Sequence, residues 1–76
     1  MTKKIVTGEE IFQIPSRDFA ISPSAASYVL NYSADGLNFT AWGDATAAGT
    51  NEVVVNAPVG MFFKLAGNAS AVTVIY

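Results

Sequence analysis

Apolar side chains in this chain recur at every second position in short runs, and each run stops at glycine, proline or a cluster of Asn, Asp and Ser. That period belongs to half-buried strands; no window sustains the three-and-four spacing of a helical stripe. Tyr28, Leu30 and Tyr32 fall on one face of a strand, with Val29, Asn31 and Ser33 on the other. Leu37, Phe39 and Ala41 alternate in the same way with Asn38, Thr40 and Trp42. Residue chemistry agrees with the period. Thirteen Val and Ile stand against three Leu, and branching at Cβ suits a pleated surface while costing rotamer freedom in a helix.

Between the first two runs lies Ser33-Ala34-Asp35-Gly36. Asp-Gly tolerates the positive φ angles of a tight turn, so the spacing predicts a hairpin there. A second hairpin-like unit is predicted from Met61, Phe63 and Leu65 alternating with Phe62, Lys64 and Ala66, through a turn at Gly67-Asn68-Ala69-Ser70. It returns in a strand over residues 71–76, where Val72, Val74 and Tyr76 lie opposite Thr73 and Ile75. Residues 52–56 form another short strand, beyond a loop of small residues at 43–51. Upstream, strands are predicted at 4–6, 10–14 and 18–22. Pro15 and Pro23 remove ladder donors, which places these segments at sheet edges or in arms. The expected fold is all-β: a small antiparallel β-sandwich or partly open, jelly-roll-like barrel over residues 16–76, with residues 1–15 as an N-terminal arm or edge strand.

Composition narrows the function. The chain has 76 residues, ten of them charged, with a net charge of −2 and neither cysteine nor histidine. Disulfides and the usual zinc sites are therefore excluded, as are cysteine nucleophiles and the commonest proton-transfer group. The six acidic residues are scattered, and Asp35 and Asp44 sit beside glycine in loops, where turn chemistry accounts for them. A two-carboxylate glycosidase site would need a cleft that so small a sandwich can hardly form. Asp35-Gly36-Leu37-Asn38 lacks the further oxygen ligands of a calcium loop, and there is no glycine-rich phosphate loop. No enzyme activity, metal or cofactor is expected. Lys3, Lys4, Arg17 and Lys64 make no basic stripe, so nucleic acid is not an expected partner. Gly8-Glu9-Glu10 interrupts any leader-like apolar run, and residues 53–76 are broken by polar residues and glycines well short of a membrane span; neither a signal peptide nor a membrane partner is expected. Three Asn-x-Ser/Thr triplets, at Asn31, Asn38 and Asn68, read as turns and solvated strand faces.

Two groups of side chains remain for external contacts. Tyr28, Tyr32, Phe39 and Trp42 cluster around the first hairpin, where an exposed Trp-Tyr platform could stack on a sugar ring. Alternation assigns Tyr28, Tyr32 and Phe39 to the core and leaves Trp42 on the opposite face, so Trp42, with Tyr32 as its partner, is the candidate external contact. The second group follows from charge. At 13 % charged residues the chain has about half the roughly 25 % of an ordinary domain, and a free monomer would expose apolar patches of the kind that mark association surfaces. Ile11, Phe12 and Ile14 and the nearly charge-free stretch 53–76 are the candidate subunit interface.

Tyr32-Ser33-Ala34-Asp35-Gly36-Leu37-Asn38-Phe39-Thr40 resembles the "YS-x-DG-x-x-F/W-T" hairpin of discoidin-type carbohydrate- and cell-surface-binding sandwiches and of many tailed-phage structural proteins. Met61-Phe62-Phe63-Lys64-Leu65-Ala66-Gly67-Asn68 followed by Val72-Thr73-Val74 is similar to the closing hairpin that often accompanies it. Discoidin-type domains are about twice this length, and neither their full fold nor their ligand loops carry over. The whole chain, small, cysteine-free and rich in Ala, Ser, Thr, Asn and Val, more closely resembles a small virion protein of a tailed bacteriophage, of the head-decoration or head-fibre attachment type. That resemblance implies a non-enzymatic role in the virion, a homo-oligomer with the trimer favoured by analogy, and docking to other virion proteins. The alternatives are a small glycan- or cell-surface-binding module, and a cytoplasmic regulator or inhibitor acting through an edge strand.

Overall fold

Alternate burial along successive β-branched and aromatic runs generates the sandwich. The computed structural model describes residues 2–67 and 70–76. Eight strands occur among the described residues: β1 (Lys3–Thr7), β2 (Phe12–Gln13), β3 (Asp18–Ile21), β4 (Val29–Ser33), β5 (Thr40–Ala41), β6 (Val53–Asn56), β7 (Phe62–Ala66) and β8 (Ala71–Ile75). They form two four-stranded sheets with the orders β1-β8-β3-β6 (sheet A) and β2-β7-β4-β5 (sheet B), and every pairing is antiparallel.

The pairing is nested. β1 pairs with β8, β2 with β7, β3 with β6 and β4 with β5, so the chain behaves as one long hairpin. Two further ladders, β3 with β8 and β4 with β7, join adjacent arms of that hairpin and roll it into two layers. Eight strands in this order are a jelly roll. Inward positions of both sheets meet in one core, in which Val6, Ile21, Leu65 and Val74 are fully enclosed. Each such side chain contributes about 1.5–3 kcal/mol relative to exposure. Phe12, Phe19 and Phe63 form an aromatic group within it, with Phe19 edge-on to Phe63 at 5.0 Å between ring centroids. Every buried side-chain polar atom among the described residues has a hydrogen-bond partner.

Three local expectations are corrected. β3 is an inner strand of sheet A, between β8 and β6, rather than an edge. Proline forbids pairing only at its own nitrogen, and Pro15 and Pro23 both lie outside Asp18–Ile21. β7 and β8, predicted as a hairpin, belong to different sheets, so the connection between them crosses from one layer to the other. The turn residues Asn68 and Ala69, and the triplet starting at Asn68, lie outside the described residues. The Asp35-Gly36 turn is wider than a two-residue hairpin. The β4–β5 register pairs Tyr32 with Thr40, which leaves residues 33–39 unpaired between these two strands, although Ser33 still pairs with Phe62 of β7, and shortens the predicted strand at 37–41 to Thr40–Ala41.

Residues 1–15 supply an outer strand to each sheet. β1 flanks β8 in sheet A and β2 flanks β7 in sheet B. Phe12 and Ile14, assigned from sequence to a subunit interface, point into this chain's own core at 3 % and 2 % exposure. Phe12 stands directly opposite Phe63 on β7, and both Phe12 and Ile14 belong to the single core cluster. Only Ile11 of that trio stays exposed.

Candidate interaction surface

Three parts of the molecule offer side chains for an external contact. The first is the 33–39 loop, organised around one carboxylate. Asp35 Oδ1 accepts N–H bonds from Leu37 (2.8 Å) and Asn38 (3.0 Å) and the Ser33 hydroxyl (2.7 Å). Its Oδ2 accepts the Asn38 side-chain amide at 3.1 Å. The Ser33 oxygen in turn accepts the N–H groups of Asp35 and Gly36. The backbone amides of Asn38 and Leu37, then the Ser33 and Asn38 side chains, hold the Asp35 carboxyl far below the ordinary carboxylate range. Gly36, at φ +79°, passes close over Phe62: a Cβ there would lie 3.3 Å from the ring. The polar residues of the hairpin motif thus close their own loop.

The second part is the aromatic cluster. Tyr32 stands directly opposite Phe63 on β7, which turns it toward the inner side of sheet B. Trp42 continues the β4–β5 register by donating its backbone N–H to Leu30 O at 2.7 Å, and so lies on that same side rather than on the opposite face expected from alternation. The wide 33–39 loop resets the register, and with it the face. Trp42 and Tyr32 meet edge to face at 5.1 Å, and Trp42 lies 6.5 Å from Phe63. Trp42 keeps 41 % of its surface exposed. The structure therefore brings the two predicted contact residues together at the edge of the core. Tyr28 is buried; burial raises its phenol pKa, an effect that a hydrogen bond with the Thr46 side chain partly offsets. Phe39 is half-buried, with the Lys64 ammonium 4.7 Å above its ring.

The third part is the outer face of sheet A, which takes Val54, Ile75 and Tyr76 from the stretch 53–76 expected at an interface and adds Ile5 and Ala20, which the sequence did not single out. Register places Lys3, Ile75, Ala20 and Val54 in one row across all four strands, with Ile5 and Thr73 in the next. Val6, Val74, Ile21 and Val55 fill the opposite, inner side. Ile5 and Val54 are among the most exposed large apolar residues. A shallow apolar groove of about 310 Å³ crosses this face, lined by Ala20, Val54, Ile75 and Tyr76 together with Asp18 and Glu52. Sheet B differs, because the Gly36 loop and Lys64 lie over its outward aromatics Phe62 and Phe39. A signal for the exposed face was present in the sequence. Ile5-Val6, Val54-Val55 and Val74-Ile75 are adjacent apolar pairs, and in a strand one member of each must face outward.

Among the described residues no three acidic side chains gather into a group able to hold a metal ion. Asp18 is engaged by the Asn56 side-chain amide, and Asp35 by its own loop. No helix among the described residues is long and apolar enough to cross a membrane. No protein-family model, no curated protein and no solved structure matches this chain.

Proposed function

We propose that this chain is a non-enzymatic structural protein that works by self-association and by docking to other proteins of a particle, in the manner of a phage capsid-decoration or head-fibre component. The observation that carries the reading is the outer face of sheet A, where Ile5, Ala20, Val54 and Ile75 occupy positions that a solvated sheet gives to polar residues. A chain with only ten charges has little else with which to keep such a face apart from its copies. The jelly-roll strand order is compatible with this role, as it is used by capsid domains among others, but a fold alone does not assign a function.

Light scattering coupled to size exclusion tests the self-association, with assembly expected above the 8.0 kDa chain mass. A monomer at every accessible concentration refutes it. Co-sedimentation with purified particles tests the docking; chain that remains in the supernatant refutes that half.

A second reading rests on Tyr32 and Trp42, whose edge-to-face contact leaves part of the indole open for stacking on a sugar ring. A glycan titration followed by tryptophan emission decides it, because Trp42 is the single tryptophan. Unchanged emission across a glycan panel removes this reading.

A further inference from the structure

The four outer strands of the sandwich are unequal. An outer strand leaves every second N–H and C=O unpaired, and proteins commonly blunt such edges by shortening them or by placing Lys or Pro on them. β2 and β5 are two residues each. β1 carries Lys3 and Lys4, and its Thr7 N–H is taken by the Glu10 carboxylate at 3.1 Å. β6 has none of these devices: it reads Val-Val-Val-Asn, with neither lysine nor proline.

The hydrogen-bond phase of β6 shows which groups are open. Ala57 N–H bonds to Arg17 O at 2.9 Å, and the register sets Val55 opposite Phe19 and Val53 opposite Ile21. Residues 53, 55 and 57 therefore direct their backbone polar groups to β3, because these alternate along an antiparallel strand. Glu52, Val54 and Asn56 direct theirs to the open edge. The Val54 side chain meanwhile projects from the outer face at 75 % exposure.

We propose that the open edge of β6 pairs antiparallel with β6 of a second copy, about a two-fold axis through Val54, so that sheet A continues across the dimer as eight strands. The inference rests on the self-association proposed above and names its contact. Backbone groups on an open edge demand a strand as partner, and β6 is complementary to itself. Centred on Val54, all three outward-directed residues are matched, with Val54 opposite its own copy and Glu52 opposite Asn56. This register sets no like charges directly opposite each other, whereas a two-fold through Glu52 would oppose two carboxylates. It also joins the row Ile75, Ala20 and Val54 to the same row of the copy, making one apolar band. Such a contact is isologous and closes at two.

The test uses the whole chain. In Val54→Pro the lost N–H is one that β3 does not use, so the sandwich keeps its ladder while the dimer loses a bond from each copy; the dissociation constant is expected to rise about tenfold or more. Val54→Lys adds the charge that blunts natural edges and is expected to act alike, and it serves if the proline variant does not fold. Geometry is read with Val54→Cys and a short bismaleimide, which spans the about 5.5 Å Cα separation of a hydrogen-bonded opposed pair. A covalent product of twice the chain mass is expected to form faster than with Leu37→Cys, even though Leu37 is more exposed, at 83 %. The chain has no cysteine of its own to confuse the result. An oligomer that persists in both Val54→Pro and Val54→Lys, or cross-linking no faster at position 54 than at 37, overturns the edge pairing and leaves self-association standing. A wild-type chain that stays monomeric overturns both.

Discussion

Replacing Phe12 by alanine separates two accounts of the N-terminal segment, one in which it covers a neighbouring subunit and one in which it builds this chain's own core. Phe12 is 3 % exposed, lies opposite Phe63, and packs its ring 5.8 Å from Phe63 and 6.4 Å from Phe19. Removing a buried phenylalanine costs about 3–5 kcal/mol. A domain of this length has a total stability of about 4–11 kcal/mol at 0.05–0.15 kcal/mol per residue. The substitution therefore consumes much of what holds the fold, and at about 4–8 °C per kcal/mol Tm should fall by roughly 12–40 °C. Ile11 is the internal control, since it is next in sequence but 49 % exposed; Ile11→Ala should stay within about 0.5 kcal/mol of wild type. Urea unfolding followed by Trp42 emission and far-UV circular dichroism, at a concentration where the chain is dissociated, measures both variants. Equal midpoints for Phe12→Ala and Ile11→Ala, with only the oligomeric mass altered, would refute the placement of Phe12 in the core.

Two further perturbations test the 33–39 loop. Asp35 has its pKa lowered in the folded chain by amide and hydroxyl donors, so its stabilisation is fully present above the ordinary carboxylate pKa of about 3.9 and is lost as the pH falls through the lower folded value. Thermal melts taken downward from pH 6 should show wild type losing more stability than Asp35→Asn, and parallel curves would contradict the loop's dependence on that charge. Gly36→Ala should cost more than Gly49→Ala. Both glycines have positive φ, +79° and +76°, and share a backbone strain of about 1–2 kcal/mol, but only at Gly36 does the new methyl meet the Phe62 ring. Matched losses in the two melts would show that the Phe62 contact has no effect.

The strand content of the fold was legible because it is written in nearest neighbours: period two around Phe63 and Leu65 or Val72 and Val74 is enough to place β7 and β8. Their partners were not legible, since a glycine turn looks the same whether it returns to its own sheet or crosses to the other. Phe12 and Ile14 were misplaced for a related reason. An alternating pair beside proline is compatible with an arm, and only the long-range pairing with β7 decides otherwise. For Trp42, an alternation counted through residues 33–39 fails because the Asp35 loop takes residues 34–39 out of the strand. Of the outer face of sheet A, the part within residues 53–76 was legible from its lack of charge, whereas Ile5 and Ala20 were not, because only long-range register sets β1 and β3 beside it.

The nesting of strand pairs also orders events in time. β1 and β8 are separated by nearly the whole chain, yet once β4 has met β5 each later pair closes only the short connections between itself and the pair inside it. Loop-closure entropy therefore favours zippering outward from the β4–β5 turn, with β1–β8 last. The carboxylate-knotted loop at Asp35 sits at the start of that sequence. Substitutions there should slow refolding, whereas substitutions in β1 should mainly hasten unfolding. The same loop that closes one end of the sandwich would then set the pace at which the sandwich forms.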